Sequence, residues 1–582
     1  MNQRNVLLAV VLSAVLLLGW DALVGYLYPG ARNAVQPRVD TPAEQVAAAP
    51  AASAPTGGAP LDAQGRPAGP VDLRTALAGG NRIPIDSPRL AGSINLAAGT
   101  IDDIVLKDYR ESVDRGSDPV RLFSPAGTPA QQFAEFGFLT NGQRLAPGPW
   151  RADRTRLTPA SPVTLSKQAG GITYRIRFTI DRDFMIRAEQ RVDNTGAAGV
   201  VVQPYALINR TDRTASVDQW VAHSGPMGVF GGTANYDVDY SDLAEDGPIA
   251  PQGRVGWTGF TDIYWLSALV PQAGSQASAG YRALGTALYR ADLIYAPVTL
   301  APGSAVTRNT QLFAGAKESG LLERYEQAGV TQFSFAIDWG WFSWFVKPFL
   351  WLLQQLFAFA GNFGVAIILL TVVVRAALFP IAQKGFASMA AMKAVQPKMK
   401  EIQTKYKDDK LKQQQEMQQL FKQEGVNPLA GCLPMLLQMP ILYALYKVFV
   451  LAVDMRHQPF VLWIKDLSAP DPAMILNLFG LLPFTPPSFL GIGVLAVLLG
   501  VTMWLTFKLN PAPADPVQQQ MFAIMPWVLM FAMAPFAAGL LLYWTTSNVL
   551  TIAQQKYLYA KHPQLKKAVE EERAAAKAAA QG

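Results

Sequence analysis

The stretch AIILLTVVVRAALFP, residues 366–380, sets one arginine, Arg375, inside an otherwise apolar run. The apolar character extends over 363–381, and about 20 residues at about 1.5 Å each cross the roughly 30 Å hydrocarbon core of a bilayer. The run therefore reads as a membrane-spanning helix, and an ionisable residue inside such a helix marks a functional site by default. Nine positions separate Arg375 from Lys384, about 13 Å along a helix, while an arginine side chain extends roughly half that distance. Snorkelling to the inner headgroups is thus strained, and it stands as the alternative to a hydrated cavity within a bundle. Thr371 lies one turn before Arg375 and Phe379 one turn after it, so the polar stripe is short and confined to the inner half of the span.

Beyond this helix, residues 384–424 are polar and glutamine-rich, with nine lysines and five acidic residues. Helix-forming composition with a turn near 407–409 predicts two antiparallel helices in water, and the lysine excess places them in the cytoplasm. Four further apolar segments follow, interrupted by Pro434, Pro440, Pro526 and Pro535, which could kink helices or free carbonyls in a movable bundle. Segment 454–488 carries two basic and three acidic residues with many prolines and belongs outside; 510–520 is a short inner turn. Segment 339–360 is crowded with tryptophan and phenylalanine and broken by Lys347 and Pro348. It reads as an amphipathic helix lying flat on the outer face, with a buried transmembrane helix as its rival.

Towards the amino terminus the texture changes. Apolar residues 6–18 follow Arg4 and continue through 23–28 with no A-x-A cleavage site, which suits a retained signal anchor over residues 1–28. The Ala/Pro-rich stretch 29–70 cannot bury a core and reads as a flexible linker. Over 71–338, ITYRIRFTI (172–180) alternates apolar and polar residues, and short runs at 184–192, 200–202 and 205–208 are divided by Gly, Pro, Asn and Asp. That spacing predicts a β-sandwich. Charge asymmetry then sets the orientation: six spans (1–28, 361–383, 427–453, 489–509, 521–536, 537–556), both termini and the basic tail 557–582 in the cytoplasm, and the β-domain in the periplasm.

Composition excludes several classes. Half of the residues are hydrophobic and 16% charged, yet mean hydropathy is only +0.15, so spans and a soluble domain must be segregated along the chain. The net charge of +7 accompanies no basic cluster interleaved with aromatics, which argues against DNA or RNA as the direct ligand. Cys432 is the sole cysteine and His223, His457 and His562 lie far apart; no intrachain disulfide can form and no metal or cofactor is expected. Neither a Walker A loop nor a G-x-S-x-G elbow occurs, and His223, alone in the outer domain, has no acid partner motif, so an enzyme is not expected.

Other spans supply polar groups that could meet the arginine: Gln438, and Tyr543, Trp544, Thr545, Thr546, Ser547 and Asn548 in the last span. Singly these fit ordinary interhelical hydrogen bonding; with an arginine they suggest a wet groove. A solute transporter using Arg375 to bind an anion is the alternative, although such proteins commonly carry inverted repeats, which this chain lacks.

The segments RAALFP (375–380), QPKMKEIQTKY (396–406), NPLAGCLPMLLQMPILYALY (427–446), QPFVLWIKDLSAPDP (458–472) and YWTTSNVLTIAQQ (543–555) resemble, in order, the YidC family of bacterial membrane insertases. The similarity covers roughly 339–559, and the anchor and outer domain look like the Gram-negative form. The resemblance implies a periplasmic β-supersandwich and a five-helix core around a groove open to cytoplasm and lipid. It further implies that Arg375 is the groove arginine, with Thr371, Gln438, Leu442, Tyr543 and Trp544 at substrate-contact positions. Family members often carry two adjacent tyrosines where this chain has Tyr543 and Trp544. The partners implied are nascent membrane proteins, the SecYEG translocon with its accessory subunits, ribosomes through the loops and tail, and membrane lipids.

Overall fold

The structure, a computed structural model, describes residues 71–561 except 80, 115, 147, 217–221, 408, 426–432, 480–481, 483, 485, 487–490 and 510–515. The expected anchor (1–28), linker (29–70) and most of the basic tail lie outside the described residues.

Alternation over 172–180 produces the strand Ile172–Ile180, with Tyr174, Ile176, Phe178 and Ile180 buried and Arg175 and Arg177 exposed. Period-two patterning commits one face to a core. That core lies between two antiparallel sheets. One contains, in spatial order, Arg82–Asp86, Leu90–Asn95, Thr100–Arg110, Gln132–Thr140, Val200–Thr211, Leu288–Tyr295 and Ala277–Ala283; the other is centred on Trp265–Pro271, Ala305–Ala316, Met185–Asn194 and Ile172–Ile180. Phe136 of the first sheet meets Phe178 of the second edge-on at 5.5 Å. Gln190, fully buried, bridges the layers by donating to the carbonyls of Gly137 and Tyr205 at 2.9 and 3.0 Å. The outer domain is thus an all-β sandwich.

A charged knot sits inside this sandwich. Arg210 donates to Asp262 Oδ2 at 2.5 Å, Ser224 Oγ to Asp262 Oδ1 at 3.0 Å, and Lys317 Nζ to Thr261 Oγ1 at 3.0 Å. Removal from water disfavours the ammonium form of Lys317, and burial pulls its pKa from 10.5 down to about 8 against the attraction of Asp262. His223, expected to lack an acid partner, has Nδ1 3.6 Å from Asp239 Oδ1, while its Nε2 lies 3.0 Å from the carbonyl of Pro226.

The carboxy-terminal half is helical: α1 (Ser343–Ala360), α2 (Phe363–Lys405), α3 (Lys410–Gln423), α4 (Leu433–Leu451), α5 (Val494–Leu509), α6 (Pro516–Met533) and α7 (Ala538–Lys561). Two features differ from the expected segmentation. Span 361–383 and the first arm of the hairpin 384–426 form one helix, α2, which runs through Pro380 and Pro397; strong helix formers on both sides carry the backbone past each proline. Trp339, expected at the bilayer surface, is 4% exposed, and α1 begins four residues later, after Gly340 turns the chain at φ +70°, where a side chain is strained.

Large apolar side chains such as Ile524, Trp527, Val528 and Phe531 on α6 and Leu498 and Leu505 on α5 face outward, the inverse of a soluble bundle and suited to lipid. Among the described residues one stretch, Phe363–Gly385, is both long and apolar enough to cross a membrane by itself, with shorter apolar helices at Leu436–Leu451, Val494–Leu509 and Gln520–Met533. The last helix, α7, has 24 residues, about 36 Å at 1.5 Å per residue. Length does not limit it; the polar run 543–548 lowers its apolarity.

The β-domain is tied to the helical part at named points. Arg456, just past α4, donates to the carbonyls of Arg110 and Glu111 at 2.7 and 3.2 Å and lies over the rings of Tyr264 and Trp265. Lys347 on α1 pairs with Glu323 at 3.0 Å; within the helical part, Gln354 of α1 donates to Asp454, just past α4, at 3.1 Å. Burial holds the Asp454 carboxyl above its usual range.

Candidate functional site

Helix α7 packs against α2, α4 and α5, and the polar residues of its middle turns face those neighbours. Ser547 is fully buried and accepts from Arg375 Nε at 2.8 Å, while a second guanidinium nitrogen reaches the same oxygen. One turn earlier, buried Tyr543 accepts at its hydroxyl from Gln438 Nε2 of α4 at 2.8 Å. One residue past Ser547, Asn548 Nδ2 donates to Thr502 Oγ1 of α5 at 3.2 Å. Three helices, α2, α4 and α7, therefore converge on one polar centre in otherwise apolar packing, and the Asn548–Thr502 bond ties α5 to the next position of α7. Interhelical hydrogen bonds of this kind hold membrane bundles together, but the cation adds a further property.

A guanidinium carries five N–H donors. Among the described residues no carboxylate pairs with Arg375, and its acceptor is a neutral hydroxyl. Arg375 is half-buried, and Val372 and Val373 beside it are 43% and 44% exposed. The remaining donors and the uncancelled charge therefore call for solvation by water or an anionic group.

The residues predicted from the sequence are brought together unevenly. Arg375, Gln438 and Tyr543 belong to the polar centre. Thr371 does not join it: fully buried, it donates back to Ile367 O at 2.6 Å, a local bond available to any helical threonine. Leu442 and Trp544 are partly buried against the apolar core. Ser547, named among the polar residues of the last span but not among the groove positions, is the arginine's partner; its spacing of four from Tyr543 signals a shared face. Lys447 went unremarked in the apolar run of α4. It is 3% exposed and donates to Asp338 O at 2.8 Å. Among the described residues no cluster of three His, Cys, Asp or Glu could hold a metal ion.

Two family models match the chain: the YidC periplasmic domain over residues 82–352 and the 60Kd inner membrane protein over 355–566. The chain is 41% identical to the membrane protein insertase YidC of Zymomonas mobilis, covering 96% of each. The chain belongs to the YidC family of membrane protein insertases. The YidC of Methylorubrum extorquens is also 41% identical, over 95% of this chain and 94% of its own length, and that of Beijerinckia indica 39%, over 96% of both. The β-sandwich is the YidC periplasmic domain, and the polar centre at Arg375 falls within the membrane part. YidC membership replaces the solute-transporter alternative, and an insertase family is not an enzyme family in the usual sense.

Proposed function

We propose that the chain inserts and helps to fold integral proteins of the inner membrane, alone or with the SecYEG translocon, through a groove built on α2, α4 and α7. The observation that carries the groove reading is Arg375: a cation within the bundle whose hydrogen-bond acceptor is Ser547 Oγ, with no carboxylate partner among the described residues. In this reading Arg375, Gln438, Leu442, Tyr543 and Trp544 contact substrate, and Thr371 supports the helix behind them. The chain crosses the membrane six times with both termini in the cytoplasm and the β-domain in the periplasm. The hairpin α2–α3 and the basic tail receive nascent chains from the ribosome.

A substrate helix with an acidic outer tail must carry charge across about 30 Å of hydrocarbon. A hydrated groove shortens that path, and Arg375 attracts the tail in transit. The apolar part of the substrate then partitions into lipid, where burial at roughly 25 cal/mol per Å² supplies free energy without ATP. The membrane potential adds about 2.3 kcal/mol per charge per 100 mV. Arg375→Ala should slow insertion of acidic-tailed substrates into vesicles by about tenfold, the equivalent of roughly 1.4 kcal/mol at the limiting step. Arg375→Lys should largely preserve the rate. Normal insertion by both variants would refute the electrostatic role.

A further inference from the structure

A cavity of about 990 Å³ opens where the β-domain meets the start of α1, at the upper end of the range for small-molecule sites. Its walls include Phe335, Trp339 and Trp341, together with Asp237, Asp338 and Lys347. The framework is held in place: Tyr236 donates to Phe335 O at 2.6 Å, and Asp338 Oδ1 accepts from Gly340 N at 2.8 Å. Asp338 is further engaged by Lys447, whose Nζ bonds its carbonyl oxygen. Asp237 differs. It is exposed, and its carboxylate has no ion pair or side-chain hydrogen bond among the described residues. Lys347 pairs with Glu323 yet stays 40% exposed at the side chain.

Trp341, in the cavity wall, begins a run of exposed tryptophans. Trp341, Trp344 and Trp351 are 69%, 68% and 61% exposed along one short segment, and Phe335 is 48% exposed. Indoles displayed in this way collect at the headgroup level of a bilayer, apolar body towards the chains and N–H towards water. A cavity there faces headgroups, and it presents an ammonium, an uncommitted carboxylate and aromatic walls. We propose that it binds the headgroup of a phospholipid bearing a primary amine, phosphatidylethanolamine in class. Lys347 meets the phosphate, Asp237 accepts from the lipid ammonium, and the indole and phenyl faces attract the same cation. A net-anionic headgroup meets Asp237 and Asp338 as like charges, and a quaternary amine has no N–H to give Asp237. The site rests on α1 lying at the outer membrane surface.

The test uses the full chain in nanodiscs of equal phosphatidylethanolamine and phosphatidylglycerol, with a photo-crosslinking residue at Thr233 in the cavity wall and lipid adducts identified by mass spectrometry. Expected is an enrichment of phosphatidylethanolamine of about threefold over its bilayer share, the size an exposed ion pair supports. Asp237→Asn, at an exposed position and with an unchanged melting temperature, should return the ratio to that of the bilayer. A parent chain whose adducts follow bulk composition, an enrichment that survives Asp237→Asn, or adducts to polypeptide in place of lipid would each overturn the proposal. A second probe at Trp344 distinguishes the premise: no lipid adducts from either position refutes the surface placement of α1, whereas lipid adducts from Trp344 alone refute only the site.

Discussion

The guanidinium of Arg375 and the ammonium of Lys317 are both partly or wholly removed from bulk water, yet they behave differently. Arg375 is committed to charge by its chemistry and must be solvated by what surrounds it. Lys317 has an easier escape, because an amine can lose its proton, and burial has moved its pKa to about 8. The sign of the pH effect follows. Between about 8 and 10.5 the unfolded chain holds a proton on this lysine that the folded chain has released, so stability rises with pH through that window and is flat below it. Each unit is worth about 1.4 kcal/mol. Thermal melting of the detergent-solubilised chain at pH 8.0 and 9.5 should show the β-domain more stable at the higher pH. In Lys317→Met the difference should vanish; a rise of the same size there would assign it to another group. Both cations can be seen in the sequence, but Lys317 stands in an ordinary strand-end context, and nothing local reveals that Asp262 and Thr261 come to surround it.

At the scale of elements, the hairpin α2–α3 shows what a polar helix pair needs in order to stay closed. Val395 and Leu420 bury against each other with Met399 and Ile402 alongside, and Lys398 pairs with Glu424 at 2.5 Å. Surface ion pairs contribute little, so the small apolar seam holds the arms together. Leu420→Asp, which places a charge in that seam, should cost on the order of 2 kcal/mol or more. Hydrogen exchange should then be rapid across α3 while α4, α5 and α7 keep their protection, and insertion should fall if the hairpin guides nascent chains. Retained protection in α3 would show that the ion pair suffices. The hairpin's existence was legible from its composition and turn. Its fusion with the preceding span was not, because a proline in a sequence marks a possible break and only the flanking helix propensity and packing decide whether the break occurs.

For the whole molecule, the question is how a β-sandwich stays fixed relative to a bundle that has to admit substrates. Arg456 supplies one answer, with two backbone carbonyls of the β-domain accepting its hydrogen bonds and two aromatic rings beneath it. Arg456→Ala removes all of these at once while leaving each part's own core untouched. Distance distributions between spin labels on the β-domain and on α5 should broaden relative to the parent, with the melting of the β-domain unchanged. An unchanged distribution would mean that the contacts of Lys347 with Glu323 and of Lys447 with Asp338 are enough.

The sequence by itself determined the segregation of the chain into an outer β-domain and a helical membrane part, since periodicity, apolar run length and lysine placement are local properties of the polymer. It also singled out Arg375, because a charge among valines and leucines is visible without coordinates. Which groups would solvate that charge was decided by tertiary structure alone. Ser547 lies 172 positions away, and its hydroxyl resembles those of Thr545 and Thr546 until α7 is packed against α2. Tertiary structure likewise shows what spacing could not for Thr371: it is buried, and its hydroxyl bonds the carbonyl of Ile367 on its own helix.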